Sequence, residues 1–176
     1  WARELFVPHP GMVMVGADLE GLELRCLGHY LSPWDDGNFA DVVLNGDIHQ
    51  QNADRVGCTR KEVKTITYAF IYGAGDAKLG HSLRPELSDA QKKQLGAELR
   101  RKFLDAIPGL EPLIDAVKLK VREYGRLRGL DGRPIFCKAE HAALNYLLQS
   151  AGAILSKRWC VIGQDLLDQA GLTYDV

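Results

Sequence analysis

The sequence predicts an α+β chain, mainly helical, with short sheet elements toward its two ends. Three observations carry that reading. Two capping boxes, Thr59 with Glu62 and Ser88 with Gln91, each open a segment of helical periodicity. Residues 125–136 alternate around Asp131-Gly132, the signature of a hairpin turn. Residues 12–19 are apolar on both alternating faces, as in a strand buried from both sides.

The elements follow in order. The Met12–Leu19 strand ends at Asp18-Leu19-Glu20-Gly21, and Leu22–Leu31 reads as a helix with Glu23 in its first turn. Pro33-Trp34-Asp35-Asp36-Gly37 has the composition of a turn. Asp41–Val56 is helical in part, interrupted around Asn45-Gly46-Asp47. The Thr59 helix runs to Gly73-Ala74-Gly75, which stops it. The Ser88 helix extends to about Ala106 and is ended by Pro108-Gly109. Glu111–Tyr124 is a further basic helix, followed by the hairpin. A long helix then starts at His141 and reaches Gln169, with Gly152 as a weak point and Gly171 as its C-terminal cap. Its apolar stripe is Leu144, Leu147, Leu148, Ala151, Leu155, Trp159, Ile162 and Leu166.

The chain has 176 residues, enough for one domain or two small lobes. It has no apolar run long enough to span a bilayer and no secretory leader, so no membrane partner is expected. It opens on Trp1 rather than Met, which points to an excised fragment. Cys26, Cys58, Cys137 and Cys160 are too far apart in sequence for a zinc-type pair and read as reduced thiols of an intracellular protein. The net charge of −1 hides a strong asymmetry. Residues 1–56 hold 3 Lys/Arg against 9 Asp/Glu, whereas residues 57–138 hold 17 against 10. A basic middle can neutralise phosphates, and an acidic front can hold divalent cations. Solvated helix faces account for the same charges.

The most specific pattern is on the Thr59 helix. Arg60, Lys64, Tyr68 and Tyr72 recur at i+4 and form one slowly drifting stripe, two cations followed by two phenols. A core stripe would not carry Arg and Lys, and a solvated one would not carry two tyrosines. Cations followed by aromatic rings suit a triphosphate joined to a sugar and base. Asp18, leaving a buried strand, suits a Mg²⁺ ligand, although a strand-end aspartate is more often a cap or turn residue. Glu23 at a helix start answers equally to the helix dipole. His49 could donate to a phosphate or be an ordinary surface histidine. His141, Asn145 and Gln149 repeat the i+4 spacing with polar groups able to read base edges in a minor groove, or to face solvent. The glycines of Gly73–Gly80 follow a helix rather than a strand, so they are no dinucleotide fingerprint; they read as a helix stop with room for a close neighbour.

Together these pieces resemble family-A DNA polymerases, in particular the replicative polymerases of podovirus-type phages. Asp18-Leu19-Glu20-Gly21-Leu22-Glu23-Leu24-Arg25 resembles motif A of that family. Arg60, Lys64, Tyr68, Tyr72 and Gly73 match the spacing of motif B, its nucleotide-binding fingers helix. Asn45-Gly46-Asp47-Ile48-His49, Gly129-Leu130-Asp131-Gly132-Arg133 and the His141–Gly152 segment are also similar to the family. The resemblance implies a partial polymerase palm with a mainly helical fingers subdomain. Residues 1–33 would be the palm segment with motif A, 34–124 the fingers, and 125–176 the hairpin and long helix returning to the palm.

The resemblance also implies roles. Asp18 and the backbone carbonyl of Leu19 would bind Mg²⁺ in a two-metal site completed from outside this chain. His49, Arg60 and Lys64 would hold the triphosphate of a deoxynucleoside triphosphate. Tyr68 would stand beside the sugar, Tyr72 and Gly73 would shape the base-pair pocket, and Glu23 would exclude a 2′-hydroxyl. His141, Asn145 and Gln149 would contact primer–template DNA. Asp18, Glu23, Lys64 and Tyr68 are thus the catalytic set, working in the cytoplasm, that of a host cell if the source is a phage.

Two departures from the family pattern stand out. Glu20 occupies a position usually held by a small hydroxyl residue. The His-Asp-Glu turn of motif C is absent; the sequence stops at Tyr174-Asp175-Val176, and Asp165 and Asp168 lie on the preceding helix. Thumb and exonuclease regions are missing as well. The expectation is therefore a polymerase fragment, inactive alone, that needs a complementary segment or subunit carrying motif C. The competing readings are a non-catalytic nucleic-acid-binding module and a fragment of a single-subunit RNA polymerase, the latter disfavoured by Glu23.

Overall fold

In a computed structural model, which describes residues 2–174, eight α-helices surround one continuous hydrophobic core, with a single two-stranded antiparallel sheet among the described residues. After a short 3-10 turn at Ala2–Leu5 the chain is irregular up to α1. The expected Met12–Leu19 strand does not form: these residues join no strand among the described residues, and Val13, Met14 and Val15 are exposed. The physical reason is that a strand satisfies its backbone only through a neighbour. The two strands among the described residues are already paired with each other. Asp175 and Val176, where the sequence reading placed the approach to motif C, lie outside the described residues.

Helix α1 (Leu22–Asp35) runs through the expected turn. Pro33 sits in its last turn, so the hydrogen bond its missing amide forfeits falls at the end of the helix, and Asp36 follows at φ 54°. Asp35 then starts α2 (Asn38–Asn45): its carboxylate accepts from Gly37 N at 3.0 Å and Phe39 N at 2.8 Å. The break at Asn45-Gly46-Asp47 is present, with Asp47 as the N-cap of α3 (Ile48–Val56).

The Thr59–Glu62 capping box forms as expected and opens α4 (Arg60–Ile71). Glu62 accepts from Thr59 N and Oγ1 and pairs with Arg84, which holds its carboxyl down to about 2. One face of α4 (Val63, Ile66, Thr67, Phe70, Ile71) is buried, and this fixes where the opposite face points. Helix α4 ends in a Schellman motif: Ala74 N donates to Ala69 O and Gly73 N to Phe70 O, with Gly73 at φ 76°.

A helix that the sequence reading passed over, α5 (Asp76–Leu83), follows at once and packs on α6 (Asp89–Ala106), which opens with the Ser88–Gln91 capping box. The two backbones touch at glycines. A Cβ on Gly80 would lie 1.9 Å from Lys92 O, and one on Gly96 1.7 Å from Asp76 O. The room for a close neighbour inferred from the sequence is thus used by α6. Arg100 locks the joint, donating to Ala74 O and Asp76 Oδ1, both at 2.6 Å, with its guanidinium over the Phe70 ring.

Helix α7 (Leu110–Tyr124) leads into strands β1 (Arg126–Arg128) and β2 (Pro134–Phe136), with Leu127 opposite Ile135 and Gly132 at φ 82° in the turn. Helix α8 (Ala143–Gln169) is preceded by a 3-10 turn at Glu140–Ala142, so it begins two residues after the expected start. It is continuous through Gly152, which is a contact glycine rather than a weak point: a Cβ there would press on Leu22 of α1. Gly171 caps it as expected, with φ 66° and Leu172 N donating to Leu167 O. Only the first half of its apolar stripe, Leu144 to Ala151, is buried; Leu155, Trp159, Ile162 and Leu166 are exposed. All four cysteines are free thiols.

Gly96→Ala tests the α5–α6 contact. Alanine gains about 1 kcal/mol of helix propensity, but its Cβ meets rigid backbone, so a net loss of about 2 kcal/mol and a fall in Tm of roughly 4–8 °C are expected. Thermal melting of the two chains measures it, and an unchanged or raised Tm would show that the helices separate freely.

Candidate nucleotide site

The i+4 stripe is one outward face of α4. Arg60, Lys64 and Tyr72 are exposed and Tyr68 is half-buried, while the opposite face is in the core. The Tyr68 and Tyr72 rings stack with centroids 6.4 Å apart at 26°. At the far end the Tyr72 hydroxyl donates to Glu23 Oε1 on α1 at 3.1 Å. Burial and the Glu23 carboxylate both raise the Tyr72 phenol above its ordinary value, while a hydrogen bond with the Gln149 side chain opposes them. Residues from α1, α4 and α8 therefore meet at one phenol. Gly73 sits beside them: a Cβ there would lie 3.5 Å from the His141 carbonyl oxygen, and φ 76° favours glycine in any case.

The cationic end is built from α3 and α4. Asp47 Oδ2 accepts from Arg60 Nε at 2.8 Å. His49, in the first turn of α3, faces the Tyr68 ring at 6.3 Å. Its Nδ1 is shielded from solvent and makes no hydrogen bond among the described residues. Burial, then the positive charges of Arg60 and Lys64, hold the imidazole below its ordinary value, with Asp47 partly opposing. The ring is therefore mainly neutral near pH 7, beside two fixed cations.

Between the start of α1, Tyr68 of α4 and Trp159 of α8 lies an open cleft of about 350 Å³, lined by Asp18, Leu19, Leu22 and Glu23 among others. Asp18 is exposed, and its Oδ1 accepts from Leu19 N at 2.9 Å. Its carboxylate and the Leu19 carbonyl are hard oxygen donors of the type Mg²⁺ takes. No cluster of three or more His, Cys, Asp or Glu side chains able to hold a metal occurs among the described residues.

Glu23, His49, Arg60, Lys64, Tyr68, Tyr72 and Gly73 therefore gather along α4, with Asp18 and Leu19 at the edge of the same cleft. The expected His141–Asn145–Gln149 row is not continuous on one helix. His141 lies in the 3-10 turn, exposed, while Asn145 and Gln149 are on α8. The helical template breaks because Ala143 is the first residue with α geometry. Two participants were missed. Asp47, read as part of a helix break, ties Arg60 to α3, and an acidic residue before a helix, with a cation at the start of the next, was the available signal. Trp159, read only as core, faces the cleft.

A family profile, DNA polymerase family A, matches residues 1–176, and the chain belongs to that family. Among its relatives, the DNA-directed DNA polymerases of Escherichia phage T7 and Enterobacteria phage T3 are each 37% identical over 92% of this chain and 24% of their own. That of Escherichia phage Phieco32 is 35% identical over 89% of this chain and 30% of its own. This chain thus spans about a quarter of the length of the phage T7 and T3 relatives. The fold is similar to the POL domain of Pol1 from M. smegmatis, solved in complex with DNA primer-template and dNTP. That match has TM-score 0.68 and 22% identity, and covers 88% of this chain and 30% of that one.

The His49 environment generates a pH prediction. Replacing Lys64 by Ala removes a nearby positive charge, so the His49 pKa moves up toward its ordinary value. Replacing Arg60 by Ala moves it further, because Asp47 is then left unpaired and favours the imidazolium. An NMR titration of the His49 ring protons measures both shifts; no movement in either variant would place His49 outside the field of these cations.

Proposed function

We propose that this chain forms the nucleotide-binding part of a template-directed DNA polymerase, with residues 34–124 as fingers and the flanking segments as part of the palm. The observation that carries the reading is the convergence on one face of α4: Arg60 and Lys64 at one end, Tyr68 and Tyr72 at the other, with Glu23 bonded to Tyr72. A deoxynucleoside triphosphate lies along this face with its phosphates toward Arg60, Lys64 and His49 and its sugar and base toward the tyrosines. Lys64 and Arg60 offset charge on the β and γ phosphates, and that charge grows on the leaving pyrophosphate as the bond to the α-phosphorus breaks. The bond that forms joins the α-phosphorus to the primer 3′-oxygen, whose proton leaves to solvent.

Glu23, tied to Tyr72, stands at the sugar and excludes a 2′-hydroxyl, while Tyr68 stands beside the 3′ position. Asp18 and the Leu19 carbonyl provide oxygen donors for Mg²⁺, which supplies charge neutralisation at the reacting phosphate when bound. A two-metal site needs a second carboxylate, and this sequence contains no motif C to provide it, so the chain by itself binds nucleotide without extending a primer. Gln149, at the Tyr72 phenol, and Asn145 and His141 nearby face the primer–template side.

The test is calorimetric titration of the chain with deoxynucleoside and ribonucleoside triphosphates. Lys64→Ala is expected to weaken deoxynucleotide binding at least about tenfold, the scale of a lost charge-assisted hydrogen bond. Binding unaffected by Lys64→Ala would remove α4 from the triphosphate site. In a complete polymerase containing this segment, Tyr68→Phe is expected to increase discrimination against dideoxynucleotides, and equal incorporation before and after would take Tyr68 away from the sugar.

A further inference from the structure

Asp47 has two jobs in one carboxylate. Oδ1 accepts from His49 N at 3.1 Å and Gln50 N at 3.0 Å, which caps α3. Oδ2 accepts from Arg60 Nε at 2.8 Å, across to the first residue of α4. The cap needs only the first oxygen, and serine or asparagine would provide it equally well. A second negative oxygen beside Arg60 and Lys64 repels phosphate, so on electrostatic grounds alone a neutral cap would serve a triphosphate pocket better. What the aspartate adds is orientation. Engaging Nε fixes the plane of the guanidinium, and the two Nη groups make no hydrogen bond among the described residues. Those are the donors suited to bidentate capture of phosphate oxygens. Through the same side chain, the α3 turn that carries His49 is held at a fixed distance from Arg60.

We infer that Asp47 is a positioning residue of the triphosphate pocket: by holding Arg60 Nε while capping α3, it sets Arg60 and His49 in the spacing that receives the phosphates. The inference rests on the nucleotide-site reading above. It gives Asp47 a role in phosphate binding separate from its helix cap, and the pair being about half exposed sets the scale of the effect.

Calorimetric titration of the whole chain at low salt, with inorganic tripolyphosphate and with a deoxynucleoside triphosphate, separates the possibilities. Asp47→Ser keeps the cap and loses the reach to Arg60. It is expected to weaken both ligands alike, roughly two- to fivefold, with unchanged helix content by circular dichroism. Asp47→Asn, with one oxygen for two tasks, is expected to weaken them to a similar or smaller extent and guards against misfolding of the serine variant. Added to Arg60→Ala, Asp47→Ser should cost nothing more, because the residue it positions is gone. In NMR spectra the Arg60 Nε–H is expected to exchange slowly in the parent chain and fast in Asp47→Ser. Binding by Asp47→Ser as tight as the parent or tighter, while Arg60→Ala weakens it, would overturn the positioning role and leave the nucleotide site standing. Unchanged binding in Arg60→Ala would bring down the site reading and this inference with it.

Discussion

The burial of one face of α4 is the constraint on which the candidate site depends. Val63, Ile66, Thr67, Phe70 and Ile71 are all at or below 5% exposure, and the Phe70 ring packs at a tilt against Phe103 of α6. A helix fixed on that side has no freedom of rotation, so Arg60, Lys64, Tyr68 and Tyr72 must face outward. The start is set by the Thr59–Glu62 box and the stop by Gly73 in the left-handed region. Arg100 then ties the residues just past the stop to α6 through Ala74 and Asp76. Both ends and one face being held, the other face is a rigid platform. For the proposed nucleotide site this means the backbone needs little ordering, which is how preorganisation favours affinity.

Around the platform, elements distant in sequence are joined by single polar contacts. Tyr72 reaches Glu23 on α1, 49 positions away, and Asp47 reaches Arg60 across the α3–α4 connection. These contacts are half-exposed and individually weak. Packing positions the helices, and the hydrogen bonds then set the side chains. The acidic front meets the basic middle here through the Asp47–Arg60 ion pair, while Glu23 accepts from the Tyr72 hydroxyl.

How far this was readable from the sequence depended on the range of the forces involved. Both capping boxes, the Asn45-Gly46-Asp47 break, the hairpin at Asp131-Gly132 and the Gly171 cap are local devices, and each forms where its residues stand. The i+4 stripe was legible because helical periodicity alone puts those residues in register. Met12–Leu19 was misread because a strand is a property of its neighbours as much as of its own apolar residues. Helix α5 was missed because Gly80 weakens its propensity, and only close packing on the Lys92 backbone of α6 makes that glycine an asset. Asp47 was read only as part of the helix break because its second oxygen acts on Arg60, 13 positions away and beyond the i+4 reach of a helical pattern.

The exposed half of α8 affects how this chain behaves in a test tube. Trp159, Ile162 and Leu166, together with Val13, Met14 and Val15, leave apolar surface in water at neutral pH with almost no net charge to keep molecules apart. Attraction between such surfaces persists or strengthens as ionic strength rises, whereas the proposed capture of a polyanion by Arg60 and Lys64 fades with screening. Salt therefore moves self-association and phosphate capture in opposite directions, and a titration repeated at two ionic strengths tells one from the other.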